Sequence, residues 1–231
     1  MLVRVGLENG YENRRSIAWA LDVPGCTAYG ADGSEALMRL PQALLDFSSW
    51  AGRHAGQPWL ELGDFDIRLV ETWEVYHIRR GFDPKNDELE INSWFRDDWR
   101  PLDPADVKRG VEVLQWQHAD LLQIVSGLDD AHLDLPHEGE RWTIRGVLAH
   151  IATAEWWYLD RFGLFGPRSS LPRNPSERYQ MVRSRLIEVL PDLAAQGKVL
   201  GLDGEFWSPR KLLRRAIWHE RDHIEHISKL L

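Results

Sequence analysis

His219-Glu220-Arg221-Asp222-His223 sets two histidines four positions apart. At 3.6 residues per turn their side chains leave one side of a helix about 40° apart, so both imidazoles can reach a single ion. The string is that of zinc peptidases, which complete their site with a third protein ligand from further along the chain. Eight residues follow His223. The third ligand is therefore expected upstream, and the reading turns on which other helix faces this one.

Everything after residue 104 reads as helix. Val107, Val111, Leu114, His118, Leu121, Val125 and Leu128 recur at steps of three and four, with a break expected near Gly127-Leu128-Asp129-Asp130. A second helix starts at Thr143 as N-cap and runs through Ile144, Val147, Leu148, Ile151, Tyr158 and Phe162 to Gly163. A third spans Ser176 to Ala195 with Tyr179, Val182, Leu186, Val189 and Leu190 inward. A fourth opens at Ser208-Pro209, a cap followed by proline in the first turn, and continues to Leu231. Four amphipathic helices of this length make a bundle.

Helical-wheel arithmetic places the third ligand. On the last helix His219 and His223 lie along one edge of the stripe Leu213, Ile217, Ile224, Ile227 and Leu231, and His150 lies on the corresponding edge of the second helix. Facing side chains build metal sites in bundles, so His150, His219 and His223 are the expected ligands of a divalent ion, zinc, nickel, iron and manganese being equally compatible. Three protein ligands with an open fourth position make the catalytic rather than the closed structural arrangement.

Composition excludes several classes. The chain has 231 residues, 43% of them apolar, enough for one large or two modest cores. Its single cysteine, Cys26, permits no internal disulfide, and the charged first fifteen residues hold no apolar run of signal-peptide length, so a cytoplasmic protein is expected. No stretch approaches a membrane span. A net charge of −8 argues against nucleic acid as partner. The basic run Arg210-Lys211 with Arg214-Arg215 reads as a solvated helix face.

Before residue 100 the periodicity changes. Ser16–Val23 and Asp66–Ile78 cluster β-branched and aromatic residues as strands do, and between them Ser34–Arg53 places Ala36, Leu37, Leu40, Leu44, Leu45 and Phe47 at helical spacing, with Ser34 as N-cap. The expected organisation is an α+β domain over 1–80, a small antiparallel sheet with one helix; a linker over 81–103 rich in Pro, Gly and Asp; and an all-α four-helix bundle over 104–231. Trp94, Phe95 and Trp99 are unusual in a free linker and point to packing.

Arg141-Trp142-Thr143-Ile144-Arg145-Gly146-Val147-Leu148-Ala149-His150-Ile151-Ala152, followed by Glu155-Trp156-Trp157-Tyr158-Leu159, and later Trp218-His219-Glu220-Arg221-Asp222-His223-Ile224, resemble the DinB-like (damage-inducible protein) metalloprotein superfamily. The resemblance covers about Pro104–Leu231. It implies a four-helix bundle, commonly a homodimer, with one histidine ligand on the second helix and two on the last, corresponding to His150, His219 and His223. Thiol-dependent S-transfer, thiol-dependent isomerisation and hydrolysis occur in that superfamily, so membership implies a metal more firmly than a reaction. Val23-Pro24-Gly25-Cys26-Thr27-Ala28-Tyr29-Gly30 and Gly33-Ser34-Glu35-Ala36-Leu37 resemble the HicB-like antitoxin fold, which here implies a docking, dimerisation or lid module.

Two functions follow. The first is a metal-dependent enzyme, a transferase using a low-molecular-weight thiol or a hydrolase, acting on a small electrophilic substrate. The second is a non-catalytic metal-binding or regulatory protein with the N-terminal domain as its partner surface. Glu220 is either a buried structural acid, a group orienting a ligand imidazole, or a general base; Glu155 is expected to be buried and paired. His226 is weighed as a further ligand, His118 as a core or site-lining residue, and Cys26 as a structural thiol.

Overall fold

The computed structural model describes residues 1–79 and 88–231. Contacts divide the chain into two compact units: Met1–Arg100 with Val199–Lys211, and Pro101–Lys198 with Leu212–Leu231.

In the first unit, β1 (Leu2–Tyr11), β2 (Arg15–Ala20) and β3 (Thr27–Gly30) form an antiparallel meander, α1 (Gly33–Ala55) follows, and β4 (Asp66–Glu74) returns beside β1. The order is β3-β2-β1-β4, and β4 runs parallel to β1. The wholly antiparallel sheet expected from sequence is thus corrected to a mixed one. A hairpin turn can only reverse a strand, whereas a helical crossover such as α1 lets the chain re-enter in the same direction. Helix α1 packs on β1 to β3 through the stripe Ala36, Leu40, Leu44, Phe47 and Ala51. Its N-cap is Asp32 rather than Ser34: Asp32 Oδ1 accepts from Glu35 N at 2.9 Å.

The strand expected over Asp66–Ile78 divides at Val75, and β5 (Tyr76–Arg79) pairs antiparallel with β6 (Glu88–Ile91). Residues 80–87, which include the start of the linker expected over 81–103, lie outside the described residues. From Glu88 onward the linker reading is corrected, because this segment builds the unit: β6 leads to a 3-10 turn at Arg96–Trp99, and Ile91, Trp94 and Phe95 are buried. The reason lies in the pleat. Val3, Val5 and Leu7 point to one face of β1, while Gly6 and Glu8 point to the other. On that second face a Cβ at Gly6 would come within 2.6 Å of the Phe95 ring. The fully buried Glu8 carboxylate accepts from Ser93 N at 2.8 Å, Ser93 Oγ at 2.9 Å and Trp19 Nε1 at 2.9 Å. A sheet covered on both faces needs apolar chain after the last strand, and the aromatic residues of the supposed linker supply it.

A second hairpin, β7 (Leu200–Leu202) and β8 (Glu205–Trp207), also belongs to this unit. Asp203 and Gly204 turn it with φ of 54° and 81°, the pair of positive values that a two-residue Asp-Gly loop adopts.

The second unit is helical: α2 (Pro104–Ser126), the single turn α3 (Asp130–Leu133), α4 (Ile144–Arg161), α5 (Pro175–Gln196) and α6 (Pro209–Leu230) from Leu212 onward. Each long helix opens on a side-chain cap. Asp103 accepts from Asp106 N at 2.8 Å, Thr143 from Gly146 N at 3.2 Å, Asn174 from Ser176 N at 2.9 Å, and Ser208 from Lys211 N at 3.1 Å. Leu121, Ile144, Val147, Leu148, Ile151, Ala152, Tyr179 and Ile227 form the apolar cluster between them. Among the described residues, no helix is long and apolar enough to cross a membrane.

The basic run of α6 is not a solvated face: Arg210, Lys211, Arg214 and Arg215 are all buried. Lys211 meets Glu205 at 2.7 Å, donates to Phe206 O at 3.0 Å and lies 4.7 Å from the Trp207 ring. The Arg215 guanidinium lies 4.3 Å from the Trp218 ring. Paired or stacked cations tolerate burial that free ones do not.

Two glycines test the first unit. A methyl at Gly30 would collide with the backbone at the start of α1, reaching 2.7 Å from Asp32 O, and backbone cannot yield. Gly30→Ala is expected to cost about 3 kcal/mol in urea unfolding. Gly52→Ala, inside α1 with open space around its Cβ beyond Gln57 O at 3.6 Å, should instead add up to about 1 kcal/mol.

Candidate metal centre

His150 lies in the second turn of α4, and His219 and His223 lie one turn apart on α6. The structure brings all three together, their ligand nitrogens within 4.8 Å of one another. Nε2 of His219 is 3.0 Å from Nε2 of His150 and 3.2 Å from Nε2 of His223. The rings are half-buried. Their centroids are 4.5 to 4.9 Å apart and mostly edge-to-face, so the nitrogens meet without the rings stacking on one another. Trp142, at the N-terminal approach to α4, stacks on His150 with centroids 4.5 Å apart and planes at 25°. Tyr158 stands edge-on to His219.

Electrostatics keep the His219 and His223 rings neutral. Burial, and then the neighbouring His223, His150 and Arg215, hold the His219 imidazole well below its ordinary pKa. Burial, with His150 and His226, lowers His223 to about 3. A neutral imidazole carries the lone pair a metal needs.

The donor set fits a divalent transition ion. Hydrogen bonds cannot satisfy three Nε2 atoms turned on one another, because a proton on one serves a single neighbour. Nitrogens about 2.0–2.1 Å from a tetrahedral ion stand roughly 3.3 Å apart, close to what is seen. Nδ1 of His219 and Nδ1 of His223 are buried with no hydrogen-bond partner among the described residues. The hydrogen bond that commonly orients a metal-ligating histidine is therefore not made to these two rings by the described residues.

Glu220, inside the same string, belongs to a different structure. It is fully buried, as are Glu155 and Arg183 to within 1% exposure. Tyr179 Oη donates to Glu220 Oε1. Arg183 Nη2 approaches Glu220 Oε2 at 2.7 Å as an ion pair, off the line of a good hydrogen bond. The same guanidinium pairs with Glu155 through Nη2 and through Nε at 3.2 Å, and Nη1 donates to Leu114 O at 2.8 Å. Burial pushes the Glu220 carboxyl up to about 7, against the pull of Arg183. Burial and the Glu220 charge raise the Tyr179 hydroxyl. Both Glu220 oxygens are thus engaged by α5.

The other residues weighed from sequence fall outside the cluster. His226 Nε2 meets Glu140 Oε2 at 2.9 Å, its ring 6.2 Å from that of His223. His118 stacks on Tyr179 at 5.0 Å, and burial with nearby Arg183 lowers its pKa. Cys26 is buried in the turn before β3. Two partners escaped the sequence reading. Arg183 follows Tyr179 by four on the inward stripe of α5, a visible signal for the counter-ion of the buried acids. Trp142 precedes the N-cap of α4, where wheel arithmetic does not reach.

Residues 114–227 match the family model described as the DinB superfamily. That span contains the three histidines, Glu155, Arg183 and Glu220. No curated protein matches the chain at a significant level. A solved structure that matches is YfiT from Bacillus subtilis, described as "a probable metal-dependent hydrolase with an unusual four-helix bundle topology"; it is 24% identical over 56% of this chain and 87% of YfiT, with a TM-score of 0.46.

The lowered histidines set a pH dependence for metal-free protein. Unfolded histidine takes its proton near pH 6.5, whereas folded His223 does so only near 3 and folded His219 well below 6.5. Between those values the unfolded chain binds more protons, so stability present above pH 6.5 is lost as pH falls. Glu220, raised to about 7, works in the opposite sense between 7 and 4.5. His219, His223 and the likewise lowered His118 outweigh Glu220, leaving a net loss on the order of 1 kcal/mol per pH unit from 6.5 to 4.5. Urea unfolding at pH 6.5 and 5 should show this loss, and His223→Gln should reduce it.

Proposed function

We propose that residues 104–231 are a DinB-like four-helix bundle in which His150, His219 and His223 hold one divalent metal ion, and that the protein is a metal-dependent enzyme acting on a small electrophile. The observation that carries this reading is the convergence of three imidazole Nε2 atoms from two helices at 3.0 and 3.2 Å. Among the described residues no carboxylate or thiol joins the cluster, which supports an open site. A bound divalent ion would supply Lewis acidity and lower the pKa of a coordinated water or thiol. The chain's own residues present three imidazole donors, bring no carboxylate to the cluster among the described residues, and hold the His150 ring against Trp142. Hydrolysis and thiol-dependent transfer both suit such a centre.

For the first unit the reading is a HicB-like partner-binding module. Its support is the meander of β1 to β3, with Pro24-Gly25-Cys26 turning β2 into β3 and α1 opening directly after Gly33.

Each of His150→Ala, His219→Ala and His223→Ala should lower the metal content of untagged protein, measured by elemental analysis, to a small fraction of the wild-type ratio, since three ligands leave no redundancy. His226→Ala should retain it. Full metal content in His150→Ala would overturn the two-helix site. Turnover of activated esters, or of alkylating electrophiles with added thiol, should vanish with the metal; a fully loaded protein inert in both assays would overturn the enzymatic reading.

A further inference from the structure

We propose that Arg183 is the positioning residue of the metal centre: one guanidinium grips a carboxylate from each ligand-bearing helix and thereby sets how α6 is turned toward α4. This rests on the metal reading above. Glu155 belongs to α4, five residues beyond His150, and Glu220 to α6, directly after His219. Both meet Arg183, which comes from α5 and is itself tied to α2 through Leu114 O at 2.8 Å. Tyr179, one turn earlier on α5, holds the other Glu220 oxygen.

The need for such a device follows from lever arms. An imidazole nitrogen stands roughly 6 Å from its helix axis, so a twist of about 20° displaces it by about 2 Å, a full metal–nitrogen bond length. Apolar packing tolerates small rotations, since Leu and Ile contacts are non-directional. A planar fork meeting two carboxylates is directional. The Nδ1 atoms of His219 and His223 have no hydrogen-bond partner among the described residues to orient their rings, so the helix that carries them has to be oriented instead. Glu220 is the neighbour of His219 in the chain and lies about 100° around the helix from it. Gripping Glu220 from α5 therefore fixes the angle at which His219 and His223 emerge.

A buried ion cluster is weak evidence for stability, because apolar residues of similar volume often replace one without loss. That separates positioning from folding. In Glu155→Met/Arg183→Met/Glu220→Met, circular dichroism and the unfolding midpoint should stay close to wild type, while cobalt(II) affinity falls at least tenfold and the visible cobalt spectrum changes in shape and intensity. Arg183→Lys keeps the charge without the fork and should lose at least fivefold; Tyr179→Phe frees one Glu220 oxygen and should lose two- to fivefold. Wild-type cobalt affinity and spectrum in the folded triple variant would overturn the inference. Should that variant not fold, wild-type values in both Arg183→Lys and Tyr179→Phe would overturn it equally. Failure of the wild-type protein itself to bind cobalt would overturn the metal reading, and this inference with it.

Discussion

Three lone pairs pointing at one another are unfavourable unless something positive stands between them, and the second unit is organised around tolerating that arrangement. Burial strips the His219 and His223 imidazoles of water and keeps them neutral. Neutrality makes them donors to a cation, but it also makes the metal-free cluster costly in acid, where each ring is denied a proton it would accept in the unfolded chain. The cost is carried by helices whose ends are capped and whose apolar stripes interlock through Leu121, Ile151, Tyr179 and Ile227. Packing of that kind supplies stability without angular definition, whereas the ion cluster of Glu155, Arg183 and Glu220 supplies angular definition with little stability.

The H-E-x-x-H string therefore has its parts distributed between two tasks. The histidines, four apart, face α4; the glutamate, 100° around the helix from His219, faces α5. In a zinc peptidase the glutamate of that string serves the metal-bound water. Here both of its oxygens are taken by Tyr179 and Arg183. A five-residue pattern specifies spacing on a helix, and what surrounds the helix decides which residues enter the histidine cluster.

Legibility followed the range of the interaction. The long helices and the two-helix histidine set could be read because each depends on a period within one segment and on caps such as Thr143 and Ser208. The parallel placement of β4 could not, since strand direction depends on where a crossover returns. Nor could the role of Ile91, Trp94 and Phe95, whose burial follows from a second sheet face that only the assembled meander creates. Arg183 was half legible: its stripe position was visible, its two partners were not. Asp203-Gly204 between two short apolar runs was a legible hairpin signal that helical periodicity on both sides obscured.

The cations of α6 show why charge alone misleads. Arg210, Lys211, Arg214 and Arg215 look like one basic face in sequence, yet they fall on both sides of the point, after Lys211, where the chain passes from the first unit to the second. Lys211 answers to Glu205 of the β7–β8 hairpin, four residues upstream of α6, while Arg215 flanks His219, which follows it by four on the same helix. A cation beside the histidine cluster opposes protonation of His219 and raises the local positive potential. A cation one turn earlier, Lys211, only closes a buried pair. The distinction is made by neighbours from other elements, and it is these that convert an ordinary amphipathic helix into the wall of the histidine cluster.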